Sequence, residues 1–165
     1  MDHIDKILNQ WSREKPELEI RAMGLIGRIK RLSHLLELEM EKVHGEFGLN
    51  LASFDVLATL RRSGSSFTLS PGDLLSSSMV TSGTMTNRID QLVKAGFVVR
   101  VQNPDDGRSV LVSLTKKGLK VIDAVVEEHV QIQSRLVEGL SESQFDRLNR
   151  LLSTYLVMVE NQVRD

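Results

Sequence analysis

The stretch from Leu69 to Thr115, LSPGDLLSSSMVTSGTMTNRIDQLVKAGFVVRVQNPDDGRSVLVSLT, constrains this chain most, because its punctuation leaves few ways to fold. Ser70 suits a helix cap, Pro71 the first helical position, and Asp73 puts negative charge into that first turn. The run Ser76-Ser77-Ser78 ends this short helix. Thr81 caps a second one, in which Met85, Ile89, Leu92 and Val93 recur at helical spacing. Gly96 closes it with the left-handed freedom that a helix terminus often needs. Phe97 to Gln102 and Ser109 to Leu114 are rich in β-branched residues. Pro104 and Asp106-Gly107 lie between them, so they form a hairpin whose loop is too long for a two-residue turn.

Helix, turn, helix and ribbon in this order predict a winged helix-turn-helix over residues 49–115 of a mainly α chain with a small β-hairpin wing. The second helix begins with small and polar residues: Thr81, Ser82, Gly83, Thr84, Thr86 and Asn87. Such residues let a helix enter the major groove, about 12 Å wide, with hydroxyls and an amide offered to bases and phosphates. Solvated Ser and Thr at an ordinary helix start would look similar; the adjoining wing favours DNA. Charge points the same way. Residues 61–120 hold nine Lys or Arg against four acids, a net +5 in a chain whose overall charge is −1. A basic segment on an acidic body fits a nucleic-acid face.

Other classes are poorly supplied. The chain has no cysteine, hence no disulfide framework, thiolate metal site or thiol sensor. Its apolar runs fall short of the ~20 residues of a transmembrane helix. The start, MDHIDKILNQW, lacks the basic and apolar regions of a signal peptide, so a cytoplasmic location is the default expectation. HExxH, P-loop, GxSxG and GxGxxG patterns are missing, and no enzyme, cofactor or metal is expected. The histidines His3, His34, His44 and His129 are dispersed; His44 with Glu41 and Glu46 matches no known ligand spacing, and solvated side chains are expected.

Helices flank the core on both sides. Ile4, Ile7, Leu8 and Trp11 make one apolar stripe before Pro16. A long helix from about Glu17 to Glu46 carries Leu25, Ile29, Leu32, Leu36, Met40 and Val43 on one side. Asn50 caps the next, in which Leu51, Phe54 and Ala58 define a buried stripe that Asp55 interrupts. Arg88 falls on the inward side of the second helix of the motif, three residues after Met85. Lone buried charges are costly, so Asp55 and Arg88 are expected to face each other. Arg100, between Val99 and Val101, is a third member of this cluster. A plain ion pair that only fixes helix orientation remains a competing reading. Beyond Thr115 another long helix runs to about Leu140. Ser141 and Gln144 then form a capping box for a last helix with a heptad-like seam of Phe145, Leu148, Leu152, Tyr155 and Val159.

Asp106-Gly107-Arg108-Ser109 followed by Leu114-Thr115 resembles the wing signature of MarR-type transcriptional regulators, and the resemblance extends over nearly the whole chain. It implies a homodimer on double-stranded DNA, joined through helices of residues 1–48 and 116–165. The recognition helix, Thr81 to about Ala95, would enter the major groove, with Arg108 at the wing tip in the adjacent minor groove and Ser109 beside it. Two half-sites about one DNA turn apart, a pseudo-palindromic operator, would follow. Trp11, Asp55, Arg88 and Arg100 also fill the places of a quartet that marks a urate-responsive branch of that family. There the resemblance implies a pocket for a small anionic aromatic ligand, urate or a related purine. Because Arg88 lies on the DNA-reading helix, a ligand that competes with the Asp55–Arg88 pair is expected to release DNA. A phenolic or aromatic carboxylate as ligand, and a repressor without any ligand, are the alternatives.

Overall fold

The computed structural model describes residues 1–78, 82–104 and 106–164, with the side chains of residues 82–84 and 164 outside the description. It is mostly helical. Helix α1 (His3–Glu14) opens with a capping box between Asp2 and Asp5. It lies on α2 (Arg21–Glu46), where Ile4 and Leu8 meet Gly27 and Gly24, residues without a side chain to hold the helices apart. Arg28 of α2 bonds the Asp2 and Asp5 carboxylates. The long second helix therefore begins at Arg21 rather than Glu17, because the chain around Pro16 is spent in a turn.

Helix α3 (Leu51–Arg62) is capped by Asn50, whose side chain accepts from the Ser53 N–H at 2.9 Å. Its buried residues are Ser53, Val56, Leu57, Thr59 and Leu60, not the stripe of Leu51, Phe54 and Ala58, which is only half-buried. Helix α4 (Pro71–Ser77) is capped by Ser70, and α5 (Ser82–Lys94) ends at Gly96, which takes φ 73°. The cap expected at Thr81 lies outside the described residues. The expected two-stranded ribbon is a three-stranded antiparallel sheet in the order β1 (Thr68–Leu69), β3 (Val110–Leu114), β2 (Val98–Gln102). The added strand pairs only Thr68 with Ser113 and Leu69 with Val112, too few residues for an alternating pattern.

One core joins these parts: Val56, Leu57 and Leu60, with Leu74, Met85, Ile89, Leu92, Val98, Val112, Ile122 and Val125. Helix α6 (Lys116–Val137), capped by Thr115, closes this core. The last helix, α7 (Glu142–Arg164), is exposed along its length, with only Tyr155 and Val159 half-buried among its described residues. No helix among the described residues is long and apolar enough to cross a membrane.

The contact between α6 and the end of the recognition helix is tight. The Thr115 N–H donates to the Phe97 carbonyl at 3.0 Å, and its hydroxyl donates to the Gly96 carbonyl at 2.7 Å. A Cβ on Gly118 would stand 1.9 Å from the Phe97 carbonyl oxygen, a backbone atom that cannot swing aside. Gly118→Ala is therefore expected to destabilise the fold by about 3 kcal/mol or more, read as a lowered urea midpoint.

Candidate nucleic-acid interface and ligand site

Helix α5 divides by face. Met85, Ile89 and Leu92 are buried, while Thr86 and Asn87 are exposed on the opposite side. The backbone of Ser82, Gly83 and Thr84 forms the first turn of α5; their side chains, and Thr81 altogether, lie outside the described residues. In the wing loop Arg108 is exposed, its N–H donating to Asp106 Oδ1 at 3.1 Å. Ser109 turns inward instead. Its N–H and hydroxyl both donate to the Asp106 carbonyl, at 2.9 and 3.1 Å, and its Oγ accepts from Asn103 Nδ2 at 2.9 Å. Gln102 Nε2 donates to the Gly107 carbonyl at 2.8 Å, so the loop is braced from within. Ser109, expected beside Arg108 at the DNA, thus has its hydroxyl engaged in holding the wing.

The four candidate ligand residues are distributed unevenly. Arg88 is half-buried, and its Nη1 donates to Ser53 Oγ on α3 at 3.3 Å and to Gln91 Oε1 at 2.9 Å. The expected partner of Arg88 is Asp55; the contact observed is with Ser53, two residues earlier on α3 and turned inward with Val56 and Leu57. Arg88 Nε is buried and has no acceptor among the described residues. Asp55 is half-buried on the same helix. Arg100 pairs across from Val112 in the sheet and reaches Asp90 of α5, Nη2 to Oδ1 2.7 Å. It is tied to the recognition helix, but through Asp90 rather than Asp55. Trp11 stands 41% exposed on α1. Among the described residues no ring or cation contact joins it to the other three.

Sequence reasoning missed a cluster nearby. His44 is fully buried near the end of α2, and its Nε2 lies 3.1 Å from Nδ1 of His129 on α6. Phe54 of α3 stacks on His44 with centroids 4.2 Å apart. Burial, and then the neighbouring His129, lower the His44 pKa to about 4, and burial lowers that of His129. The expectation of solvated histidines fails for this pair. The two residues are 85 apart in sequence, and the only local signal was that His44 continues the apolar row of Met40 and Val43 toward the end of α2.

A MarR family model matches residues 49–110. The HTH-type transcriptional regulator PecS of Dickeya dadantii is 36% identical over 149 residues, 90% of this chain and 90% of its own. The chain belongs to the MarR family. The uncharacterized HTH-type transcriptional regulator YkoM of Bacillus subtilis is 37% identical over 80% of this chain and 84% of its own. A variant of MarR from E. coli, solved in complex with operator DNA, shares the fold with a TM-score of 0.73 over 85% of this chain and 99% of its own, at 24% identity. These relatives are transcriptional regulators and not enzymes, and so the chain is placed among DNA-binding regulators.

The His44 pair sets a sign for acid sensitivity. The folded value lies below the ordinary 6.5, so the unfolded chain binds the proton first as pH falls. This contribution to stability is complete above pH 6.5 and is lost progressively toward about 4. Denaturation midpoints measured across that window should fall with pH in the natural protein, and fall less in His44→Gln.

Proposed function

We propose that this MarR-family chain is a repressor that binds a pseudo-palindromic operator as a homodimer and lets go when a small anionic aromatic ligand, urate or a related purine, enters beside the recognition helix. Residues 49–115 read the DNA in this proposal, and residues 1–48 and 116–165 supply the dimer contacts. The setting is the cytoplasm, where the operator is. In the major groove the contacts come from Thr81, Ser82, Gly83, Thr84, Thr86 and Asn87, and Arg108 takes the minor groove; Ser109 supports Arg108.

Dimerisation is supported by apolar surface that a single chain leaves open. Leu25, Leu32 and Leu36 of α2 and Phe145, Leu148 and Leu152 of α7 are all exposed. A groove between these two helices is lined by Ile26, Ile29, Leu152, Tyr155, Leu156 and Val159. A second copy would bury both surfaces.

The observation that carries the ligand reading is Arg88. It sits on the DNA-reading helix, half-buried, with one guanidinium nitrogen buried and lacking an acceptor among the described residues. A planar anion could take that N–H and, by drawing Arg88 away from Ser53, shift α5 out of groove register. Arg100 and Asp55 border this region on β2 and α3, and Trp11 would have to approach from α1 to cover the ligand plane. Competition would therefore be with the Arg88–Ser53 bond rather than with an Asp55–Arg88 pair.

The test is binding to the DNA upstream of the chain's own gene at fixed salt, followed by titration with urate and xanthine. Specific binding that urate abolishes is the expected result, with Arg88→Ala blunting the response. Binding that survives purines but is lost to an aromatic carboxylate would replace the ligand and keep the repressor. Failure to bind this DNA or any duplex selected from a random pool would sink the operator reading. Arg108→Ala should weaken binding by roughly 1–2 kcal/mol, about five- to thirtyfold, and lower its salt dependence.

A further inference from the structure

Gln91 stands on α5 four residues after Asn87, one turn further along the same face, and like Asn87 it is exposed. Side chains on a helix lean toward its N-terminus, so Gln91 leans over Asn87 toward the turns that meet the bases in the operator-binding reading above. Neither the DNA contacts nor the ligand site proposed there uses Gln91.

Its amide has one orientation. Arg88 Nη1 stands 2.9 Å from it, and a guanidinium can only donate, so the atom facing Arg88 is the amide oxygen, Oε1. Nε2 is then turned away from Arg88 with two N–H groups, and it donates to no group among the described residues. Asp90, the only acid of α5, is held by Arg100 at 2.7 Å, so the carboxylate beside Gln91 is already matched by a charge of its own.

This orientation decides which base edge Gln91 can meet. A glutamine with both ends of its amide free pairs with adenine, whose N7 accepts and whose N6 donates in the major groove. Arg88 removes that option by occupying the oxygen. What remains is a pure donor, and guanine offers two acceptors there, N7 and O6, and no donor.

We propose that Gln91 is a specificity-determining residue, turned by Arg88 into a donor-only reader of one guanine in each operator half-site. The proposal rests on the operator-binding reading above. It also gives Arg88 a second task. The nitrogen that donates to Ser53 on α3 at 3.3 Å is the same Nη1 that fixes Gln91, so whatever draws Arg88 off Ser53 frees the Gln91 oxygen as well.

The test starts from duplexes that the natural protein selects from a random pool. Each base pair of a half-site is then replaced in turn by the other three, and relative affinities are measured at fixed salt. One position per half-site should favour guanine over adenine by about tenfold or more. Gln91→Glu keeps an acceptor for Arg88 but has no donor. At that position alone its preference should leave guanine and move to cytosine, whose N4 donates. Arg88→Ala frees the amide oxygen, and the guanine preference there should fall to about threefold or less as adenine gains.

Unchanged preferences at every position in Gln91→Glu would overturn the proposal. So would an affinity lowered equally for all sequences, the mark of a backbone contact, or an Arg88→Ala protein that keeps the full guanine preference. Arg88 is half-buried and Gln91 exposed, so Gln91→Glu decides alone should Arg88→Ala not fold. A natural protein that selects no duplex would sink the operator reading and this proposal with it, whereas selected duplexes read without regard to Gln91 would sink this proposal only.

Discussion

Val56, Leu57 and Leu60 point from one face of α3 into a core that every part of the winged motif enters. Leu74 comes from α4, Met85, Ile89 and Leu92 from α5, Val112 from the sheet, and Ile122 and Val125 from α6. Burying each such side chain is worth about 1.5–3 kcal/mol, so together they fix α3 as the strut of the molecule. The direction in which α5 presents Thr86 and Asn87 is a consequence of this packing. With its apolar face committed inward, its polar face has only solvent, or DNA, to meet.

What flanks that apolar face gives α3 its second role. Ser53 and Phe54 are successive residues and therefore look to different neighbours. Ser53 receives Arg88 from the recognition helix, while Phe54 stacks on His44 and touches His129. One rigid helix thus borders both the candidate ligand site and a buried histidine pair. The two contacts differ in kind. Arg88 retains one buried donor without an acceptor among the described residues, which suits recognition of an anion. The imidazoles are held toward their neutral form by burial.

Outside this unit, stability of the single chain is less evident. The apolar rows of α2 and α7 are exposed, and none of the described residues of α7 enters the common core. By contrast α1 is well fastened, through Ile4 and Leu8 against glycines and through Arg28 held by Asp2 and Asp5. Trp11 projects from this fastened arm with much of its surface exposed. Its position on a rigid support fits a side chain that waits for a partner surface or a ligand.

Local chemistry was legible in the sequence. Ser70, Asn50, Thr115 and Gly96 marked element ends by cap and turn preferences that depend on a few adjacent atoms, and each has that role in the fold. The spacing of Met85, Ile89 and Leu92 fixed the inward face of the recognition helix for the same reason, since helical geometry repeats whatever lies around it. Pairings between distant residues were not legible. Sequence spacing placed Asp55 on a buried stripe, but the faces of α3 were decided by which neighbours it packed against, and Ser53 took Arg88 while Asp90 took Arg100. The short strand β1 exists only because Ser113 and Val112 are there to pair with it. His44 and His129 met only when α2 and α6 crossed. The sequence by itself determined the order of elements, their ends and the DNA-reading motif, because these follow from neighbours along the chain. Tertiary structure alone decided which charges and rings face each other, because burial and hydrogen bonding act between surfaces that come together only when the helices pack.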